Sequence, residues 1–217
     1  MKLEDVITII DNKFSGNINI FSKNNEINID VNKNVLPDFC NFLKNNKNIM
    51  LSALMDISGV DYLDYGKNYW ETTDSTSYGF SRGHKTDLNY PLYMSKRFCV
   101  SYHLLSYHFN FRVRLRVFVD LNDMTVPSVV DIWPTANWHE RELYDFFGVI
   151  FTGHPNLIRI LTDYGFEGHP LRKDFPLTGE YEIRYDEFKE KIVREASSIK
   201  RVINTPKIIR KDFRYRN

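Results

Sequence analysis

The chain has 217 residues, a formal net charge of +1, 42% hydrophobic residues and 15% aromatic residues. That length buries one full core with room for an appended arm, and the aromatic content excludes a disordered chain. Near-neutrality gives no global argument for nucleic acid or an acidic membrane face, and two distant cysteines, Cys40 and Cys99, exclude a disulfide framework, a zinc ribbon and the usual cysteine shell of an iron–sulfur cluster.

The opening "MKLEDVITII" has neither the apolar h-region of a secretory signal nor the Arg/Ser bias of a transit peptide, and no run of eighteen apolar residues could span a bilayer. A soluble protein is expected. Leu3, Val6, Ile7 and Ile10 have helical spacing and predict a short first helix. "NINIF" and "INIDV" alternate strictly around "SKNNE", a hairpin pattern in which Asn24-Asn25 can take positive φ. "LPDFCNFLKNNKN" places Leu36, Phe39, Phe42 and Leu43 on one helical face, with Pro37 in the first turn and the Asn/Lys run as its stop.

"IMLSALMDISGVDYLDY" reads as a buried extended segment broken near Gly59, and Gly66 to Tyr90 as a long surface loop. "FCVSYHLLSY" and "FNFRVRLRVFV" are strong strand patterns. In the second, Arg112, Arg114 and Arg116 share one face, which ion pairs to neighbouring strands explain better than a dedicated anion site. "VPSVVDIWP" predicts a further strand ended by Pro134. "TANWHERELYDFFG" predicts a helix with Asn137 as N-cap, acids in its first turn, Trp138 packing one end, an Arg141–Asp145 pair at i, i+4, and Gly148 closing the C-terminus.

These elements describe an α+β fold: residues 1–148 as a mostly antiparallel sheet with helices on one face, followed by residues 149–217 as an extended, irregular C-terminal arm. Gly153, Pro155, Gly165, Gly168, Pro170, Pro176 and Gly179 interrupt every periodicity after Gly148, yet the stretch stays apolar, as a segment buried against a partner surface would. Phe188, Ile192, Val193, Ala196, Ile199 and Val202 suit an amphipathic helix over 186–204. From Lys189 onward ten Lys/Arg face three Asp/Glu, a basic tail with a surplus of seven charges.

Motif tests exclude most chemistry. Gly79-Phe80-Ser81-Arg82-Gly83 matches G-x-S-x-G but lacks the buried strand before it and the helix after it. His139-Glu140 begins H-E-x-x-H, but Leu143 stands where the second histidine must be. Gly-His-Pro occurs twice, at Gly153–Pro155 and Gly168–Pro170, so His154 and His169 with Asp163, Glu167 and Asp174 could form a metal or acid–base site; the Gly and Pro neighbours point first to backbone shape.

The run "ANWHERELYDFFGVIFTGHPNLIRILTDYGFEGHPLRKDFPLTGEYEIRYDE" closely resembles the 30 kDa subunit family of respiratory NADH:ubiquinone oxidoreductase, complex I, and the resemblance extends over roughly Asp56 to Glu187. Three departures stand out. Ile158 replaces one of two adjacent basic residues, the 66–90 loop is long, and the end "TPKIIRKDFRYRN" lacks the family's aromatic–Pro–Trp close. The resemblance implies a subunit of the peripheral arm that docks on the 49 kDa subunit and supports the quinone module. It implies no catalytic residues, metal or cofactor in this chain, the complex as a whole carrying FMN, Fe–S clusters and ubiquinone.

The partner-docking positions carried over by the resemblance are Glu140, Arg141, Glu142, Asp145, His154, Arg159, Asp163, Gly165, Glu167, His169, Pro170, Arg172, Lys173 and Asp174. Asn-, Lys-, Ile-, Tyr- and Phe-heavy usage fits an AT-rich genome and the lack of a transit peptide fits organellar synthesis, so a location on the matrix side of the mitochondrial inner membrane is expected first, with the cytoplasmic side of a bacterial membrane second. The rivals are the homologous subunit of a membrane-bound [NiFe]-hydrogenase complex, an RNA-binding module using the arginine face and basic tail, and a small metallohydrolase using His154 and His169.

Overall fold

The computed structural model describes residues 3–23, 26–63, 65 and 96–199, together with the backbone of two short strands at 69–70 and 84–85. The chain forms two compact units, Met1–Tyr62 with Met94–Arg172, and Leu63–Tyr93 with Lys173–Asn217. The first unit therefore continues past Gly148 into the Gly/Pro-rich stretch.

In the first unit, helix α1 (Leu3–Phe14) leads into the hairpin β1 (Ile18–Lys23) and β2 (Glu26–Val31). The hairpin register pairs Ile18 with Val31 and Ile20 with Ile29, as alternation demands. Its turn residues Asn24 and Asn25 lie outside the described residues. A 3-10 turn at Lys33–Val35 precedes α2 (Leu36–Asn45), where Pro37 sits in the first turn and Asn46 ends the helix. Leu36, Phe39 and Leu43 are fully buried, each worth about 1.5–3 kcal/mol of transfer free energy.

β3 (Ala53–Asp61) runs straight through Gly59, which does not break it. Glycine is required there by close packing: a Cβ would stand 2.6 Å from the Phe147 ring. The irregularity lies instead at a bulge between Leu54 and Asp56.

Most of the 66–90 loop, including the G-x-S-x-G run, lies outside the described residues. The second unit contributes the two-residue strands β4 (Tyr69–Trp70) and β5 (His84–Lys85), which pair antiparallel. Back in the first unit, β6 (Phe98–Ser106) and β7 (Phe111–Val119) complete a five-stranded sheet in the order β1-β2-β7-β6-β3. All its pairings are antiparallel except β2 with β7, which run parallel. Alternation sends Val113, Leu115 and Val117 into the core that also receives residues from all three helices. On the opposite face Arg116 forms a forked pair with Asp30 at 2.7 and 3.1 Å, and Arg114 reaches Glu26 at 3.5 Å. Two of the three arginines thus answer acids on the neighbouring strand.

The expected strand over "VPSVVDIWP" is cut short. β8 is only Thr125–Pro127, pairing in parallel with β9 (Ile150–Thr152), and residues 128–135 turn instead. One backbone donor that a strand would have paired is taken by a carboxylate: Val129 N–H donates to Glu140 at 2.8 Å. Helix α3 spans Ala136–Phe147. Its N-cap is Thr135 without a side-chain bond, so Asn137 lies inside the helix rather than capping it, and the first turn carries no acid. Trp138 is exposed and stacks under Arg141 at 5.1 Å instead of packing into the core. Gly148 ends the helix in the left-handed region at φ 77°, as expected.

The amphipathic helix expected over 186–204 is not formed where the chain is described. Tyr181–Asp186 (β10) and Lys191–Ala196 (β11) pair as an antiparallel hairpin in the second unit. The apolar spacing of Ile192, Val193 and Ala196 fits either period. β-Branched residues, the Tyr181/Ile183/Tyr185 alternation and a positive φ of 50° at Glu190 favour the hairpin.

Candidate functional site

The C-terminal end of α3 and the Gly/Pro-rich segment that follows form one connected polar network. A helix leaves its last four carbonyls without intrahelical partners. Here each one is answered. The Tyr144 carbonyl accepts from Gly148 N–H at 3.0 Å, and the Phe146 carbonyl from Leu171 N–H at 3.2 Å. The Asp145 carbonyl accepts from His169 Nδ1–H at 2.9 Å, and the Phe147 carbonyl from Arg172 Nε–H at 2.6 Å. Cationic side chains at this end also suit the helix dipole. Arg172 continues to Met124 Sδ at 3.3 Å and lies over the Phe98 ring at 5.3 Å.

The centre of the network is Asp145, whose side chain is fully buried. One carboxylate oxygen accepts three consecutive backbone N–H groups, from Ile160, Leu161 and Thr162 at 3.1, 2.8 and 2.9 Å. The other accepts from Thr162 Oγ1 and from Arg159 Nη1 at 2.9 Å. Burial alone would raise the Asp145 pKa. The hydrogen bonds from Thr162, Leu161 and Ile160 outweigh it and hold the group well below the usual carboxylate range. Arg159 reaches across to the Gly168 carbonyl at 2.9 Å and lies over Phe166 at 5.9 Å, so it clamps both ends of the 160–168 segment.

Glu140, one turn earlier, faces the other way. Its carboxylate is buried, accepting from Ser128 Oγ at 2.6 Å and Val129 N–H at 2.8 Å. Burial raises its pKa to about 7 against the opposing hydrogen bonds, with Asp131 adding to the rise. The two buried acids thus tie α3 to the segment before it and to the segment after it.

The remaining expected positions divide clearly. Arg141 does not pair with Asp145; its Nε and Nη2 donate to the carbonyls of Ile158 and Arg159 at 3.2 and 3.4 Å. His154 Nε2–H donates to the Asn137 carbonyl at 3.2 Å while its Nδ1 accepts from Asn156 N–H at 3.0 Å, so both ring nitrogens are occupied inside the chain. His169 uses Nδ1–H on Asp145, and burial first, then Arg172 and Arg159, lowers its pKa. Its Nε2 lies beside Gly148, where a Cβ would come within 2.6 Å.

Asp163, Gly165, Glu167 and the flanking Tyr164 are exposed, Glu142 and Pro170 are half-buried, and Lys173 and Asp174 belong to the second unit. No cluster of three or more potential metal ligands occurs among the described residues. Ser128 and Thr162 are central to the network and do not follow from motif reasoning. A threonine next to an aspartate carries no distinguishing pattern until the nest that it closes is known.

The family model for the respiratory-chain NADH dehydrogenase 30 Kd subunit matches residues 29–181. An NADH-quinone oxidoreductase subunit of Coxiella burnetii (strain Dugway 5J108-111) is 46% identical over 182 residues, covering 83% of this chain and 80% of the relative. Its counterpart from Legionella pneumophila (strain Corby) is 47% identical over 184 residues, covering 84% and 81%. Among solved structures, the trypsin-resistant fragment (1-134) of Nqo5 superposes with a TM-score of 0.50 at 27% identity, covering 72% of this chain and all of that one. With the family model spanning most of the sheet, α3 and the Asp145 network alike, the chain belongs to the respiratory-chain NADH dehydrogenase 30 Kd subunit family.

Proposed function

We propose that this chain is a docking subunit of a proton-pumping NADH–quinone oxidoreductase: it holds no reacting group and presents a rigid segment to the 49 kDa subunit near the quinone module. The family supplies the complex. The observation that carries the docking role is the fully closed end of α3, where Asp145, Arg159, His169 and Arg172 fix an irregular segment without regular secondary structure. On this reading Glu140, Arg141, Asp145, His154, Arg159, His169 and Arg172 shape the docking surface from within. Asp163, Gly165 and Glu167 lie on its outer side, with Glu142 and Pro170 at its border, and Lys173 and Asp174 continue the docking stretch.

Cofactors belong to neighbouring subunits. Both cysteines are buried singly, Cys40 in α2 and Cys99 in β6, and both thiol pKa values are raised chiefly by burial. No helix among the described residues is long and apolar enough to cross a membrane. The matrix side of the mitochondrial inner membrane is the first location proposed, with the cytoplasmic side of a bacterial membrane second. The relatives named above carry the quinone oxidoreductase name, which favours that complex over the hydrogenase.

Native purification of the tagged full chain tests the proposal. Co-purification with the 49 kDa subunit and quinone reductase activity is expected. Recovery as a free chain, with hydrogenase subunits, or with RNA overturns it.

A further inference from the structure

We infer that Tyr164 is the main anchor by which this subunit grips a sibling protein subunit, inserting into an apolar pocket with a cationic rim. The inference rests on the docking role proposed above and adds to it a particular side chain and the chemistry of the surface that receives it.

Tyr164 stands at the tip of a turn in which Phe166 N–H donates to the Asp163 carbonyl at 3.1 Å and Gly165 takes φ 77°. A positive φ at the third residue alone is type II geometry, which makes Tyr164 and Gly165 the two corner residues of the turn. The side chain is 108% exposed relative to the reference state, so it touches essentially nothing of its own chain. Leu161 and Leu171, earlier and later in the same segment, are also exposed.

Chain reversal alone does not call for a bulky aromatic at this position, where type II turns commonly take Pro. The large aromatic group stands on an irregular segment held at both ends. The three N–H groups of 160–162 converge on Asp145 on one side, and Arg159 holds Gly168 on the other. Rigid presentation lowers the ordering cost of association, and Tyr is among the residue types that dominate interface energetics when seated in a pocket.

The surroundings specify the partner. Asp163 and Glu167 are exposed on either side of the tyrosine, so the receiving pocket is rimmed by Lys or Arg. Its wall is apolar, with a polar group within reach of the phenol. Membership of a hetero-oligomeric respiratory complex makes the occupant another subunit of that complex.

The test compares the tagged full chain with its Tyr164→Ala, Tyr164→Phe and Asp163→Lys/Glu167→Lys variants, each in its native complex. Companion subunits retained through salt washes are quantified by mass spectrometry, and hydrogen exchange is read at amides 160–162. Tyr164→Ala is expected to weaken retention about thirtyfold or more, with exchange at 160–162 unchanged. Tyr164→Phe should keep most of the binding, and the charge reversal should weaken it most at low salt. Retention by Tyr164→Ala at the wild-type level overturns the inference. So does loss of retention accompanied by loss of protection at 160–162, which would assign Tyr164 to the loop's own stability. A wild-type chain that retains no quinone oxidoreductase subunit overturns the docking role instead.

Discussion

Replacing Asp145 with Asn removes one charge and keeps the shape, and its cost follows from the donor count around the carboxylate. Five donors converge there: three backbone N–H groups, the Thr162 hydroxyl and the Arg159 guanidinium. An amide offers one oxygen. Its NH₂ must face either the three N–H groups or the Arg159–Thr162 side, and whichever side it faces loses its acceptor. Arg159 is partly exposed, so the loss falls mainly on the part-buried donors left without an acceptor, roughly 1–3 kcal/mol each and about 3–5 kcal/mol for the group. If that penalty falls on local opening, amides 160–162 should exchange between about a hundred and a few thousand times faster, since about 1.36 kcal/mol corresponds to a factor of ten. The measurement is native-state hydrogen exchange on the variant beside the parent, with core amides of β7 as internal reference. Unchanged protection at 160–162 would show that the nest is held by backbone geometry alone, and the reasoning from Asp145 would fail.

The same carboxylate sets a pH expectation. Because its folded pKa is depressed, its contribution is present above the unfolded value of 3.8 and is lost only as pH falls through the lower folded value, so protection at 160–162 should persist through mildly acidic buffers. Glu140 behaves oppositely. Its folded pKa is raised from 4.5 to about 7, so its stabilising contribution is complete below 4.5 and declines as pH rises through about 7. In thermal melts from about pH 5 to pH 8, Glu140→Gln should flatten that decline; an unchanged slope would assign it to other groups. Gly59→Ala places a Cβ 2.6 Å from the Phe147 ring and should cost about 1–3 kcal/mol of overpacking. Phe147→Leu in the same chain should recover part of it, and strict additivity in the double-mutant cycle would contradict the close contact.

How far the sequence revealed the fold depended on how one-sided each pattern was. β7 was legible because Val113, Leu115 and Val117 alternate with arginines, and a slip of one residue would bury three charges. α2 was legible from Leu36, Phe39 and Leu43 together with Pro37. The 181–196 hairpin was not, because Ile192, Val193 and Ala196 satisfy a helical stripe as well as a strand, and the deciding feature is pairing with Tyr181–Asp186. The site showed the same division. Its address, from Glu140 to Asp174, could be read from the family run. The direction in which its charges point could not: an acid on a short helix looks alike whether it meets water or five converging donors. Arg141 illustrates this, since Asp145 is correctly spaced for it but is occupied by Arg159. Gly59 reads as a breaker in sequence because the ring that needs its missing Cβ, Phe147, belongs to a helix far along the chain.

The parallel pairing of β2 with β7 has a consequence for how the chain is made. Asp30 meets Arg116 only after 86 further residues have been synthesised, which at about 5–20 residues per second takes roughly 4–17 s. During that interval the first hairpin has no β7 to lie against, and β3, once made, waits for β6. The nascent chain therefore carries two unsatisfied strand edges at once, and the β6–β7 hairpin that joins them is the last part of the five-stranded sheet to emerge. Direct pairing of β2 with β3 is the alternative that this order of synthesis leaves open until β6 and β7 arrive.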